Sequence, residues 1–235
     1  MVRKLLAEFI GTFAIVYCGV GAIALTSSGL LNGGLIAIAF GHGFAVMGMI
    51  YALGGISGAH FNPAVSLALA SIGRFSWREL PAYVLAQPLG SVGAAALLSL
   101  THSSSVVKVA YGATLLASGV SPLAGLAIEI VLTFFLALVI VRVAVLERHP
   151  LSGLLIGLTV MMGISAAGPL TGVALNPARA FGPALFSGNW NGHWVMWLGP
   201  ILGALLGAWT AIFLQGKALE GETRGSSAEI KGVEV

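Results

Sequence analysis

The sequence predicts an all-α membrane protein of six transmembrane helices plus two re-entrant half-helices, built as two inverted repeats of three spans. Three observations lead to this fold class. The chain is 57% hydrophobic and only 8% charged, against roughly 25% charged residues in soluble domains. Apolar runs of spanning length recur along it, and the tripeptide Asn-Pro-Ala occurs twice, at Asn62-Pro63-Ala64 and Asn176-Pro177-Ala178. With about 20 residues per span, 235 residues leave room for about six spans and little else.

The apolar runs define the spans and the half-helices. Spans are expected near residues 5–26, 33–54, 80–100, 122–146, 151–168 and 194–215. Two more apolar segments, about 62–71 and 176–186, are too short to cross a bilayer. Each begins with Asn followed by Pro, which is typical of a helix N-cap and first helical position. We therefore expect these two segments to be half-helices.

The two halves of the chain repeat each other. Residues 7–13 (Ala-Glu-Phe-Ile-Gly-Thr-Phe) correspond to residues 128–134 (Ile-Glu-Ile-Val-Leu-Thr-Phe), and an Asn-Pro-Ala copy follows each. Because each repeat has three spans, an odd number, the second must be inverted, so the half-helix N-termini can meet near the bilayer midplane. The predicted channel domain is 1–216, with repeats at about 1–105 and 120–216. A disordered cytoplasmic tail is predicted for 217–235.

The cationic residues predict the orientation in the membrane. With six spans, nearly all of them fall on one side, which the positive-inside rule identifies as cytoplasmic. Both termini are therefore expected in the cytoplasm, and the protein in the cell's plasma membrane. The cations form no cluster, which argues against a nucleic-acid partner. The single cysteine, Cys18, excludes an intramolecular disulfide and a cysteine-based metal site, so no metal and no cofactor are expected.

Two opposed half-helices would make a site that repels cations. A helix N-terminus carries unpaired N–H groups and about half a positive charge. The amides of Asn62 and Asn176 would orient a passing water and interrupt the chain along which a proton hops. The loops leading into the half-helices must have their backbone satisfied, which a wet pore achieves. The expected pore-lining carbonyls are those of Gly58, Ala59, His60, Phe61, Gly172, Val173 and Ala174.

Three charged residues fall within apolar segments. Glu8 and Glu129 occupy matching places in the first and fourth spans, where they could relay protons or accept hydrogen bonds from the loops; the matching favours the second, loop-bracing role. Arg179 lies three residues after Asn176, where a cation would bind water and repel other cations. A buried ion pair is the alternative, but no acid lies near it in sequence.

Residues 57–65 and 175–183 closely resemble the signature loops of the aquaporin family, and the likeness covers nearly the whole chain except the tail. The resemblance implies a homotetramer in membrane lipid, with one pore per subunit for water or small neutral solutes. It also implies a four-residue constriction, whose positions fall on His42, Ile164, Val173 and Arg179. Phe40 competes with His42 if the second span is shifted.

This constriction departs from that of strict water channels, which typically have Phe and His where this chain has His42 and Ile164. It is more similar to the filter of plant vacuolar-membrane aquaporins, which implies that ammonia, hydrogen peroxide or urea could accompany water. Glycerol-conducting members usually have Asp where this chain has Ala180, which weighs against a dedicated glycerol facilitator.

The sequence therefore predicts a passive, proton-excluding water channel that also admits small neutral solutes such as ammonia. A secondary transporter is the main alternative, because inverted repeats and broken helices also build transporters. Coupled transport normally needs titratable groups at the midplane, and the chain contains no Asp at all. An enzyme is not expected, since no ligand cluster or nucleophile–base set is present.

Overall fold

A computed structural model describes residues 1–229, with side chains through Gln215. Within this range, six helices are long and apolar enough to cross a membrane, and their bounds follow the predicted spans closely. The all-helical, six-span fold class is therefore confirmed. The elements in chain order are α1 (Val2–Ser27), α2 (Gly34–Ser57), α3 (Pro63–Ser71), α4 (Leu80–Thr101), α5 (Ser103–Lys108), a 3-10 turn (Ala110–Gly112), α6 (Pro122–Val139), a π-helical segment (Ile140–Leu146), α7 (Ser152–Thr171), α8 (Pro177–Ser187) and α9 (Val195–Glu229).

The tail prediction is only partly covered by the described residues. The last helix, α9, continues to Glu229 and so passes position 217, where the disordered tail was predicted to begin. Residues 230–235 lie outside the described residues. The disorder of the tail remains a prediction.

The two half-helices, α3 and α8, begin where the sequence predicted. Each has Pro at its first position and Asn as its N-cap. The spans before them, α2 and α7, end at Gly58 (φ 90°) and Gly172 (φ 74°). In each case the glycine N–H donates to the carbonyl four residues back, at 3.0 Å. A left-handed glycine is the common way to close a helix C-terminus, and here it turns the chain back into the protein.

The repeats pack through equivalent close approaches of their helices. A Cβ built on Gly90 of α4 would lie 2.3 Å from the carbonyl oxygen of Phe9 in α1, and one built on Gly203 of α9 would lie 2.3 Å from that of Ile130 in α6. Glycine is therefore required at both crossings. The buried residues of the central core come from α1, α2, α6, α7 and the two loops: Ile15, Ala39, Val46, Phe61, Leu132, Leu136, Ile156, Val160, Ile164, Ala167, Val173 and Leu175.

Two features of the connections were not predicted. The segment between α4 and α6, which falls between the spans predicted at 80–100 and 122–146, contains α5 and the 3-10 turn. The fourth span changes from α-helix to π-helix over its last seven residues, Ile140–Leu146, and such segments often occur at functional sites. Several residues of the π-helical segment border the central cavity described below.

Candidate functional site

The caps of the two half-helices bind each other's loops. Asn62 Oδ1 accepts from the Ala64 N–H at 2.9 Å, and Asn176 Oδ1 accepts from the Ala178 N–H at 2.9 Å. The amide nitrogens cross to the opposite repeat: Asn62 Nδ2 donates to the Leu175 carbonyl at 2.8 Å, and Asn176 Nδ2 donates to the Phe61 carbonyl at 2.7 Å. Each NH₂ group keeps a second hydrogen for a ligand, because an amide nitrogen carries two donors.

The loops before the half-helices share an unusual backbone conformation. Four non-glycine residues have left-handed φ values at matching positions: Ala59 (53°) and Phe61 (51°) in the first loop, Val173 (45°) and Leu175 (53°) in the second. Such residues cost of order 1–3 kcal/mol each and persist only when the surroundings determine their conformation. Here the conformation of the loops is determined by hydrogen bonds from their N–H groups to two buried glutamates, Glu8 and Glu129.

Glu8 accepts four hydrogen bonds, two of them from backbone N–H groups of the first loop. Its Oε1 accepts from Ser57 Oγ at 2.6 Å and from the His60 N–H at 3.0 Å. Its Oε2 accepts from the Phe61 N–H at 2.6 Å and from Gln87 Nε2 at 2.8 Å. A fully buried carboxylate is costly unless its oxygens are hydrogen-bonded, and this set satisfies both.

Glu129 does the same for the second loop. Its Oε1 accepts from Thr171 Oγ1 at 2.7 Å and from the Ala174 N–H at 2.9 Å, and its Oε2 accepts from the Leu175 N–H at 3.0 Å. The hydroxyl of Thr171 also accepts from the Val173 N–H at 3.1 Å. This geometry is what a loop-bracing role requires.

The carbonyl groups predicted to line the pore divide into two groups. Within the described residues, no protein donor reaches the carbonyls of 58–60 or 172–174, and these residues border the cavities. The Phe61 carbonyl is different, because it already accepts from Thr12 Oγ1 at 3.1 Å and from Asn176 Nδ2 at 2.7 Å. Phe61 borders the larger cavity, but two protein donors already use both lone pairs of its carbonyl, so this carbonyl has none left for water.

Two cavities meet at the predicted constriction. The larger, about 520 Å³, contains both Asn caps and extends to Arg74 and Arg148, while the smaller, about 300 Å³, lies on the other side. Three of the four predicted filter residues border both cavities: His42, Ile164 and Arg179. The fourth, Val173, borders the larger one. All four are buried.

Arg179 is held by acceptors on two sides. Its Nη1 donates to the Gly112 carbonyl at 2.8 Å, and its Nη2 lies 3.3 Å from His42 Nε2. His42 Nδ1 lies 3.0 Å from the Ile38 carbonyl, which can only accept, so the proton is assigned to Nδ1 and Nε2 is free to accept from Arg179. Arg179 Nε is buried and has no protein partner within the described residues. Arg179 therefore retains donors for a ligand.

Two residues had an alternative interpretation from the sequence: an ion pair for Arg179, and a place in the constriction for Phe40. The two ion pairs among the described side chains join Lys4 to Glu79 and Arg142 to Glu147, so Arg179 is not ion-paired. Phe40 is 41% exposed, stacks on Phe44 with ring centroids 5.0 Å apart, and borders neither cavity.

Sequence reasoning missed several residues that complete the site. Ser57 and Thr171 both lie five residues before an Asn cap, so alignment of the two loops would have revealed them. Gln87 bridges Glu8 and Ser66 Oγ, at 2.8 Å and 3.0 Å. Gly112 contributes only its backbone carbonyl to the site. Every residue type carries such an acceptor, so the sequence does not identify it.

Comparison with known proteins decides the family. The family profile described as major intrinsic protein matches residues 1–211. The chain belongs to this family. Members of the major intrinsic protein family are channels and not enzymes, so the prediction that this chain is not an enzyme is confirmed, and the transporter alternative loses its support.

Comparison with individual proteins leads to the same family for this major intrinsic protein. It is 44% identical over 212 residues to "Aquaporin NIP1-1" of Zea mays, covering 88% of this chain and 73% of that protein. It is 41% identical over 215 residues to "Aquaporin NIP1-2" of Arabidopsis thaliana, covering 88% and 72%. The X-ray structure of the aquaglyceroporin from Plasmodium falciparum superimposes with a TM-score of 0.81 at 30% identity, covering 88% of this chain and 93% of that one. The resemblance to the aquaporin family is thereby confirmed.

Proposed function

We propose that this channel passes water, together with small neutral solutes such as ammonia, and excludes protons and ions. The observation that carries the proposal is the constriction where Arg179 meets His42 and Ile164 between two cavities. A buried guanidinium with unused donors binds water oxygen, and the same positive charge repels cations. Ile164 adds an apolar wall that offers a solute no hydrogen bond.

The Asn caps support exclusion of protons at the midplane. The second amide hydrogens of Asn62 and Asn176 can both donate to one water oxygen, which leaves that water able to donate only outward. A proton cannot hop through a water so oriented. The N-termini of α3 and α8 add their partial positive charges to this barrier. The unpaired carbonyls of 58–60 and 172–174 supply acceptors on either side.

A glycerol-type facilitator is the second candidate function, favoured by the structural likeness to an aquaglyceroporin. Against it, Ala180 is fully buried and packs with Ala174 and Met196, so nothing polar extends from this position toward a polyol. A glycerol gradient distinguishes the two candidates.

The proposed setting is a homotetramer in the plasma membrane, with both termini in the cytoplasm. Support comes from the cations at the face where α1 begins: Lys4 pairs with Glu79 at 3.0 Å, and Arg74, Arg78 and Arg148 lie exposed in the connections there. Native mass spectrometry of the purified protein tests the tetramer, and a reporter fused to the C-terminus tests the orientation.

Stopped-flow light scattering on proteoliposomes tests the channel itself. Water permeability is measured for the unmodified protein, for Arg179→Val and for empty vesicles, followed by ammonia and glycerol gradients and a proton-flux assay. We expect fast water flux with a low activation energy, little glycerol flux, and greater permeability of Arg179→Val to larger solutes or protons.

Arg78→Val is the matched control, because Arg78 is an exposed arginine outside the cavities. It should behave as the unmodified protein does. Unchanged selectivity in Arg179→Val would remove Arg179 from the filter, and water flux equal to that of empty vesicles would refute the water channel.

A further inference from the structure

We propose that Gly19, in the first span, determines the specificity of the filter without lining the pore. In this view, the missing side chain at position 19 lets the His42 ring lie back against α1, and this sets the opening beside Arg179. The inference rests on the proposed function as a water and solute channel. Gly19 borders neither cavity, so pore-lining residues alone would not reveal it.

The contact between Gly19 and the His42 ring leaves no room for a side chain. A Cβ built on Gly19 would lie 2.3 Å from Cδ2 and Nε2 of His42 and 2.5 Å from Cε1. Ordinary van der Waals contact begins at about 3.4 Å, so the ring would have to move by more than a small adjustment. Both ring nitrogens are engaged, Nδ1 with the Ile38 carbonyl and Nε2 with Arg179. Any movement of the ring therefore changes the filter.

The backbone of α2 cannot retreat instead. On the α1 side, a Cβ on Gly41 would lie 2.8 Å from the Cβ of Ala22. On the α7 side, a Cβ on Gly43 would lie 2.7 Å from the Gly157 carbonyl oxygen. The helix is thus fixed against a neighbour on each side of His42 by glycines that permit close approach.

Only the cavity side of His42 remains open. His42 borders both cavities, and a methyl group at position 19 would push the imidazole toward them. The opening would become narrower, and a larger solute would lose more permeability than water. The hydrogen bond between Arg179 and His42 would also be disturbed.

The test compares Gly19→Ala with a control that adds the same methyl group elsewhere. Gly48→Ala is the matched control, because a Cβ there meets nothing within 4 Å. His42→Ala and the double variant Gly19→Ala/His42→Ala complete a double-mutant cycle. For each variant, proteoliposome permeability per reconstituted channel is measured for water and for the largest solute that the unmodified chain conducts among ammonia, urea and glycerol.

We expect Gly19→Ala to lower water permeability on the order of tenfold, because the displaced ring narrows the opening and raises the barrier that a permeant must cross, and to lower solute permeability further, so that the solute-to-water ratio falls. Gly48→Ala should keep both values. In the His42→Ala background, Gly19→Ala should have no effect, because the ring it would displace is gone. A merely structural role would lower all permeabilities in proportion and leave the ratio unchanged.

The proposal is overturned if Gly19→Ala keeps the ratio of the unmodified chain, or if it is equally damaging in the His42→Ala background. If Gly19→Ala fails to assemble, the double variant is the deciding measurement. Assembly and conduction by the double variant would support a clash between the new methyl group and the His42 ring. If the double variant fails while His42→Ala assembles and conducts, the proposal is overturned. An unmodified chain that conducts nothing would refute the proposed function first, and that result is read from the unmodified protein alone.

Discussion

Val173 illustrates how a single residue of the proposed filter is held in a costly conformation. Its φ of 45° is a genuine outlier for a β-branched side chain. Its N–H donates to Thr171 Oγ1 at 3.1 Å, and the next two N–H groups donate to Glu129. Three consecutive donors directed toward buried acceptors determine the conformation, which then turns successive backbone groups of this loop toward the cavities.

Outside the membrane spans, His193 gives the chain a residue whose protonation affects stability. Its Nε2 accepts from Trp197 Nε1 at 3.0 Å, and its ring packs edge-on against Trp190 with centroids 4.9 Å apart. Partial burial lowers the pKa of His193 below its ordinary value. The folded protein therefore favours the neutral imidazole, whose contribution is complete above the unfolded pKa of about 6.5 and is lost as pH falls through the lower, folded pKa.

We accordingly expect the melting temperature of the unmodified protein to fall when pH is lowered below about 6.5. His193→Gln, which cannot gain a proton there, should show a smaller fall. Thermal unfolding in detergent at a series of pH values measures both, and parallel curves for the two proteins would show that His193 does not contribute.

At the scale of elements, each re-entrant loop depends on one carboxylate from a neighbouring span. Glu8 belongs to α1 and Glu129 to α6, and both are fully buried. The same arrangement in both repeats means that a span, rather than the half-helix itself, fixes where the half-helix begins. Replacing a carboxylate oxygen by an NH₂ group would set two donors against each other.

Glu129→Gln should therefore destabilise the fold by about 2–4 kcal/mol, since an unmade buried hydrogen bond and a lost charge-assisted one each cost on the order of 1–3 kcal/mol. The exposed Glu147→Gln, which loses only a surface ion pair to Arg142, is the control and should change little. Unfolding in detergent provides the measurement. A proton-relay role would instead give a variant of normal stability with altered proton flux.

The sequence was sufficient wherever the determining interactions are local. The spans follow from apolar runs of membrane length, and the half-helices follow from Asn-Pro at an N-cap. The π-helical end of the fourth span escaped prediction because Ile140–Leu146 contains no Gly or Pro that would signal a departure from the α-helix. The Arg179 contact with Gly112 escaped because it uses a backbone carbonyl, which every residue type carries, 67 residues away in the chain. The occupied Phe61 carbonyl depended on a partner more than a hundred residues away.

At the scale of the whole molecule, the two repeats are joined where their half-helices begin. Asn62 caps α3 and also donates to the Leu175 carbonyl of the other repeat. Asn176 does the reverse with the Phe61 carbonyl. Each cap thus serves one half-helix and one loop of the opposite repeat, so a change in either Asn is expected to affect both halves.

Asn62→Ala should destabilise the protein by about 2–3 kcal/mol, because it loses a cap and leaves the Leu175 carbonyl unsatisfied. Ser121→Ala, which removes only the exposed cap of α6, should cost about 1 kcal/mol or less. Hydrogen exchange locates the effect: Asn62→Ala should speed exchange in the loop at 172–176, and Ser121→Ala should not. Exchange confined to the first repeat would contradict coupling between the halves.

The reciprocal caps also have a consequence for biosynthesis. The partners Asn62 and Leu175 are 113 residues apart, which a ribosome making 5–20 residues per second takes about 6–23 s to traverse. During that interval α1, α2 and α4 can already cross the bilayer, but the amide of Asn62 has no protein acceptor at the depth it will finally occupy. We therefore expect the first repeat to remain incomplete until the second loop is made and supplies the Leu175 carbonyl.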